Sequence, residues 1–315
     1  MTVQGQNSRK AIRRLLSVQD LTAQEVDYLI GMALRLMHVP DPASFALLAR
    51  GKILSQLFFE PSTRTYFSFA SAMQRLGGGV IGFADPSTTS SAKGETLHDT
   101  VEMMAAYSDI MVIRHPEVGA INAVTANLSI PVINGGEGDG EHPTQALYDL
   151  LTIQAELGRR DVNVVLYGDL RFGRTVHSLV LLASRFGAKF TCASPKEFEL
   201  PVSLQREMQA AGSPVSYADS LEEALRHADV LYMTRLQRER LTSDLAGVSD
   251  LPPLTQELLE LLPDKAIIMH PLPRRNELPS DVDRNHRARY FKQARYGVAL
   301  RAALLAWMLG LDEQL

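Results

Sequence analysis

The chain has 315 residues, of which 45% are apolar and 22% charged, and its 32 basic and 36 acidic side chains leave a net charge of −4. That is the make-up of a soluble globular protein long enough for two domains with cores of their own; it argues against a small stapled module and against a strongly basic nucleic-acid binder. A single cysteine, Cys192, cannot form an internal disulfide, no apolar run approaches a membrane span, and the basic start at 1–16 lacks the apolar core of a secretory signal, so a reducing cytoplasmic setting without membrane contact is expected.

Along the chain, Thr22-Ala23-Gln24-Glu25 reads as a capping box opening a helix with Val26, Leu29, Ile30, Ala33 and Leu34 on one face. Apolar runs at 53–59, 80–83, 110–113 and 132–133 read as strands, separated by helical patterns starting at Tyr66 and spanning 96–107 and 119–126. Strand and helix in alternation give a parallel sheet. Pro143 at a first helical position and Gly158 beyond the end mark a long helix over 143–157, a spine between two halves. The second half repeats the scheme, with strands at 162–167, 189–193, 215–217, 230–233 and 266–269, and helices over 174–186, over 202–211 and from Ser220. Residues 242–253 read as an irregular, mobile connector. The last helix, 294–309, is apolar on Val298, Ala302, Leu305 and Met308 and must dock on something. The expected fold is α/β, with two doubly wound parallel-sheet domains, 1–142 and 143–293, facing each other across a cleft. Residues 294–315 are assigned to the first domain, although the pattern itself does not choose between the halves.

In an open parallel sheet, ligands bind beyond the carboxyl ends of the strands. The first strand delivers Ser62-Thr63-Arg64-Thr65 to a helix start, where backbone N–H groups, the positive helix end and a guanidinium converge on one point suited to phosphate. Hydroxyl residues at a helix start are most often plain caps, so the tetrad alone decides little. Other strand ends add Arg114-His115-Pro116, His142-Pro143-Thr144-Gln145, residues 169–174 ending in Arg174, Arg235-Leu236-Gln237, and His270-Pro271-Leu272-Pro273. Any one of these arginines alone reads as solvated surface charge about as readily as a ligand. Their recurrence at strand ends is what marks a single cleft, rich in cations, poor in acids and suited to one or two anionic substrates. Paired His or Cys at metal-ligand spacing is missing, as are the GxxxxGK[ST] and GxGxxG patterns, so no metal, nucleotide or other cofactor is expected. Positioning and charge stabilisation suffice for a reaction such as transfer of an acyl-like group off a phosphate.

These residues also carry a family likeness. Phe58-Phe59-Glu60-Pro61-Ser62-Thr63-Arg64-Thr65 with Ser68-Phe69, Lys93-Gly94-Glu95-Thr96, Arg114-His115-Pro116, His142-Pro143-Thr144-Gln145, Gly173-Arg174-Thr175-Val176-His177-Ser178, Met233-Thr234-Arg235 with Gln237, and His270-Pro271-Leu272-Pro273-Arg274 resemble, in order, the motifs of the aspartate carbamoyltransferase family. The sister ornithine carbamoyltransferases share the phosphate tetrad and the His-Pro-x-Gln motif, but typically have cysteine where this chain has Pro271. The resemblance implies carbamoyl transfer from carbamoyl phosphate to the amine of L-aspartate, a step of pyrimidine biosynthesis, with carbamoyl phosphate on the first half and aspartate on the second. It implies that Ser62, Thr63, Arg64 and Thr65 hold the phosphate, that Arg64 stabilises the leaving group, that Arg114, His142 and Thr65 polarise the carbamoyl oxygen, and that Gln145 meets the carbamoyl amide. Arg174 and Arg235, helped by Gln237, would clamp the aspartate carboxylates. The carbonyls of Pro271 and Leu272 would receive the amines, and the Leu272–Pro273 bond would be cis. Glu60 would reach Arg174 and Arg240 on domain closure. Lys93, serving both substrates, and a hydroxyl before it would enter the neighbouring site of a homotrimer.

Two positions depart from the family pattern. Tyr66 stands where many relatives have a second arginine, and Thr89 stands where a serine is common, with Ser90 next, so the hydroxyl is expected from either Thr89 or Ser90. A carbamoyltransferase for another amino acceptor and a non-catalytic assembly partner remain alternatives, although the full set of charged strand ends favours catalysis. The motifs leave open whether a trimer stands alone, binds regulatory chains or joins a dihydroorotase.

Overall fold

The computed structural model describes residues 14–39, 42–89, 94–241, 247 and 250–314. Strand β1 (Arg14–Leu15) precedes helix α1 (Ala23–His38), which opens on the expected capping box: Thr22 Oγ1 accepts from the Glu25 N–H at 3.2 Å, and Glu25 accepts from the Thr22 N–H at 2.8 Å. Then follow β2 (Ile53–Phe58), α2 (Thr63–Arg75), β3 (Gly79–Phe83), α3 (Leu97–Ala106), β4 (Ile110–His115), α4 (Ala120–Thr125) and β5 (Val132–Glu137). These strands form a parallel sheet in the order β1-β5-β4-β2-β3.

Helix α5 (Pro143–Leu157) leads to a second alternation of β6 (Asn163–Tyr167), α6 (Arg174–Ala183), β7 (Lys189–Cys192), α7 (Val202–Ala210), β8 (Ser216–Tyr217), α8 (Leu221–Leu225), β9 (Val230–Met233), α9 (Gln256–Leu261) and β10 (Ile267–Met269). This sheet is also parallel, in the order β10-β9-β6-β7-β8. The closing helix α10 (Tyr290–Met308) packs on α1, α2 and α5.

Both strand orders reverse direction once, between β2 and β4 in one sheet and between β6 and β9 in the other. At such a switch point the connections leave to opposite faces and open a crevice at the carboxyl ends of the strands. The largest core cluster runs from Leu15 through Leu147, Leu151, Leu166 and Leu179 to Leu304 and Leu305, joining helices and strands of both halves. Among the described residues, no helix is long and apolar enough to cross a membrane.

Several boundaries differ from the sequence expectation. Helix α2 begins at Thr63, not Tyr66, so Thr63, Arg64 and Thr65 form its first turn. Strand β4 continues through Arg114 and His115, because the Phe59 N–H donates to the Arg114 carbonyl at 2.8 Å and prolongs the pairing. Helix α10 begins four residues earlier than 294, at Tyr290. Neither β1 nor α9 was expected. Residues 1–13 and most of the first part of the 242–253 connector lie outside the described residues.

Candidate active site

The two switch points face each other across a cavity of about 310 Å³. One wall carries Ser62, Thr63, Arg64 and Thr65 from the start of α2, Arg114 from the end of β4, and His142 and Gln145 from the start of α5. The other carries Arg174 from the start of α6, Arg235, Gln237 and Arg240 from the segment after β9, and Pro271 and Leu272 from the loop after β10. Ser62 sits at the N-cap of α2, yet its hydroxyl makes no capping bond, so the plain-cap reading of the tetrad does not hold.

Glu60 is the hub of the cationic wall. Its carboxylate accepts from Arg114 Nη2 at 2.9 Å, from Arg174 Nη1 and Nη2 at 3.0 and 3.1 Å, and from Arg240 Nη2 at 3.2 Å. Burial pushes the Glu60 carboxyl up, but Arg174, Arg114 and Arg240 together outweigh it and hold it below its ordinary value. Burial and the like charge of Arg174 draw the Arg114 guanidinium down to about 9, against the pull of Glu60. Two guanidiniums come this close because Gly136, at φ 116°, has no side chain: a Cβ there would lie 2.6 Å from Arg114 Nη1 and 3.1 Å from Arg174 Cζ.

His142 is buried, with Nε2 3.4 Å from Thr65 Oγ1. Burial, with the charges of Arg174, Arg114 and Arg301, drives its pKa well below the ordinary value, so the imidazole is neutral and can offer only one N–H. Arg235 forms an ion pair with Glu239, whose carboxyl that bond lowers to about 2. Asp169 shapes the loops beside it, accepting from the Phe172 N–H at 2.9 Å and the Gln237 N–H at 3.0 Å. Leu272 has the left-handed φ of 57°, and the Leu272–Pro273 bond is cis.

Among the described lining residues, six arginines (64, 114, 174, 235, 240 and 301) face two glutamates (60 and 239). Such a cavity is built for anions. Thr89 is not brought to it; its hydroxyl donates to the Pro86 carbonyl at 2.7 Å. Ser90 and Lys93 lie outside the described residues.

The model of the aspartate/ornithine carbamoyltransferase carbamoyl-P binding domain matches residues 13–155, and that of the Asp/Orn binding domain matches residues 160–308. The chain belongs to the aspartate/ornithine carbamoyltransferase family. It is 44% identical, over 95% of its own length and 91% of the relative's, to the aspartate carbamoyltransferase catalytic subunit of Alkaliphilus oremlandii. It also resembles the structure of aspartate transcarbamoylase from Trypanosoma cruzi in complex with carbamoyl aspartate and phosphate, with TM-score 0.86 and 39% identity over 95% of this chain and 96% of that one. The catalytic subunit of M. Jannaschii aspartate transcarbamoylase matches with TM-score 0.86 and 39% identity over 96% and 99% of the two chains.

Within this carbamoyltransferase cleft stand residues that no motif singled out, chiefly Tyr148, Glu239 and Arg301. Arg301 comes from the middle of α10, 3% exposed, between the rings of Phe69 and Tyr148 at 4.8 and 5.1 Å. Its sequence signal is a lone charge among Leu300, Ala302, Ala303, Leu304 and Leu305, all of them buried.

Proposed function

We propose that the chain transfers the carbamoyl group of carbamoyl phosphate to the amine of L-aspartate, giving N-carbamoyl-L-aspartate and phosphate. The observation that carries this reading is the arginine-lined cleft between two switch points, in a chain whose relatives include an aspartate transcarbamoylase holding carbamoyl aspartate and phosphate. The first half, 1–142, takes carbamoyl phosphate and 143–293 takes aspartate; residues 294–315 are assigned with the first, α10 packing on α1 and α2 of that half as well as on α5 of the other.

In this reading the first turn of α2 receives the phosphate on its N–H groups, that of Thr65 included, on the Ser62 and Thr63 hydroxyls and on Arg64. Arg114, His142 and Thr65 donate to the carbamoyl oxygen, where negative charge grows as the amine adds. The amine nitrogen bonds to the carbamoyl carbon, the C–O bond breaks with its electron pair going to the phosphate, and the nitrogen gives up one proton to an oxygen of the leaving phosphate. Arg174 and Arg235, with Gln237, hold the two carboxylates, and the carbonyls of Pro271 and Leu272 receive the amines. The cationic second wall suits a second carboxylate and disfavours the side-chain ammonium of ornithine. Glu60 with Arg174 and Arg240 closes the cleft. Lys93, with Thr89 or Ser90, enters the site of a neighbouring subunit in a cytoplasmic homotrimer.

The test is an assay of carbamoyl transfer with a panel of amino acceptors in the presence of a chelator. L-Aspartate is expected to be carbamoylated at full rate; equal turnover of L-ornithine, or loss of activity on removing metal, would overturn the proposal.

A further inference from the structure

A buried chain of hydrogen bonds passes beneath the cleft and joins its walls. Its centre is Asp149, fully buried on α5, one turn beyond Gln145, and not itself a lining residue. Asp149 Oδ1 accepts from Gln145 Nε2 at 2.8 Å and from Gln293 Nε2 at 2.7 Å, while Oδ2 accepts from the Tyr232 hydroxyl at 2.7 Å. Gln293 Oε1 then accepts from the His270 N–H at 2.9 Å, and His270 Nδ1 accepts from the Leu272 N–H at 2.8 Å. With Nδ1 an acceptor, the ring proton is on Nε2, which donates to Glu277 Oε1 at 3.0 Å.

Oδ1 has no proton to give, so the amide edge that meets it must be the N–H edge. Burial pushes the Asp149 carboxyl up to about 7 against its three donors. Oδ1 already faces two amide N–H groups, which cannot accept, so a bound proton belongs on Oδ2, where the Tyr232 hydroxyl can turn to accept it, and Oδ1 stays an acceptor. Turning Gln145 over would set two oxygens face to face in a buried site, which its surroundings penalise. Its carbonyl oxygen, which accepts from the Tyr148 hydroxyl, is therefore the edge that remains for a ligand. A carbonyl oxygen has a second lone pair, and it selects a ligand with an N–H to donate.

We infer that Asp149 is a positioning residue for substrate selection: by holding Gln145 oxygen-outward, it makes the cleft prefer an acyl phosphate whose acyl group ends in –NH2 over one ending in –CH3. The inference rests on the carbamoyl-transfer reading and extends it to a side chain that touches no substrate.

The experiment compares affinities of the full-length enzyme for carbamoyl phosphate, acetyl phosphate and inorganic phosphate by calorimetry. In Asp149→Leu the preference for carbamoyl over acetyl phosphate should fall about tenfold, the loss of one well-placed hydrogen bond, while inorganic phosphate binds nearly as in the wild type. Asp149→Asn should keep the preference, since its oxygen can serve both glutamines and its amide can donate to Tyr232. If Asp149→Leu does not fold, Asp149→Ser, too short to reach Gln145, replaces it. An unchanged preference in these variants, an equal loss for all three ligands, or an Asn variant as impaired as the Leu one would overturn the inference. A wild-type enzyme that carbamoylates aspartate while any of these holds leaves the reaction assignment standing and removes only the role of Asp149.

Discussion

Arg301 is a buried cation that makes no ion pair among the described residues. Nη1 donates to Ser68 Oγ at 2.6 Å and Nη2 to Thr144 Oγ1 at 3.3 Å, and two aromatic faces flank the guanidinium. Taking such a charge out of water costs several kcal/mol, and hydroxyls and rings offset only part of it. If a dianionic phosphate fills the cleft as proposed, it would offset the remainder. Arg301→Gln, which keeps a donor for Ser68 and removes the charge, should therefore weaken inorganic phosphate binding by roughly tenfold, about 1.4 kcal/mol, without lowering the melting temperature. Calorimetry and thermal unfolding measure the two effects, and unaltered phosphate affinity would contradict the role. The motif arginines were legible because each stands at or just past a strand end, a position the alternation of strand and helix exposes. Arg301 was not, because what gives it meaning is a contact with Thr144, 157 residues away along the chain.

Helices and strands were legible where a period had room to repeat. Helix α1 showed both its face and its capping box, and the spine α5 showed its proline and its glycine, Gly158, which takes φ 73°. Strand β1 has two residues, too few for any pattern, and its pairing with β5 is a tertiary event. The start of α2 was placed late because Ser62 to Thr65 are poor in apolar residues, so the periodicity becomes visible only a turn after the backbone has become helical. Where α10 meets α5, Gly297 lies against Tyr148: an added Cβ would be 3.0 Å from Cδ1 and 3.2 Å from Cε1 of that ring. Alanine gains about 1 kcal/mol over glycine inside a helix, but here the buried ring must shift, and its hydroxyl holds the oxygen of Gln145. The expected result for Gly297→Ala is stability within about 1 kcal/mol of wild type, with kcat/KM for carbamoyl phosphate reduced severalfold. Unfolding curves and steady-state kinetics check both halves; unchanged kinetics would show that the ring yields without disturbing the cleft.

The two sheets share one core cluster through α5 and α10, and across the cleft they meet in the bonds of Glu60 to Arg174 and Arg240. The alternation of elements made this two-unit architecture legible; assembly is an expectation drawn only from the family likeness, in Lys93 and the hydroxyls before it. If Arg64 and Lys93 of one working site come from different subunits of a threefold ring, Arg64→Ala and Lys93→Ala chains should each be nearly inactive alone and should regain activity when mixed. The yield follows from symmetry. Each site needs an intact Arg64 from one chain and an intact Lys93 from its neighbour, so random equimolar mixing restores roughly one half times one half, about a quarter, of wild-type sites. Native mass spectrometry establishes that mixed rings have formed, and the assay then reads the fraction recovered. Mixed rings without activity would place Lys93 in the site of its own chain, because a site built within one subunit gains nothing from an intact neighbour.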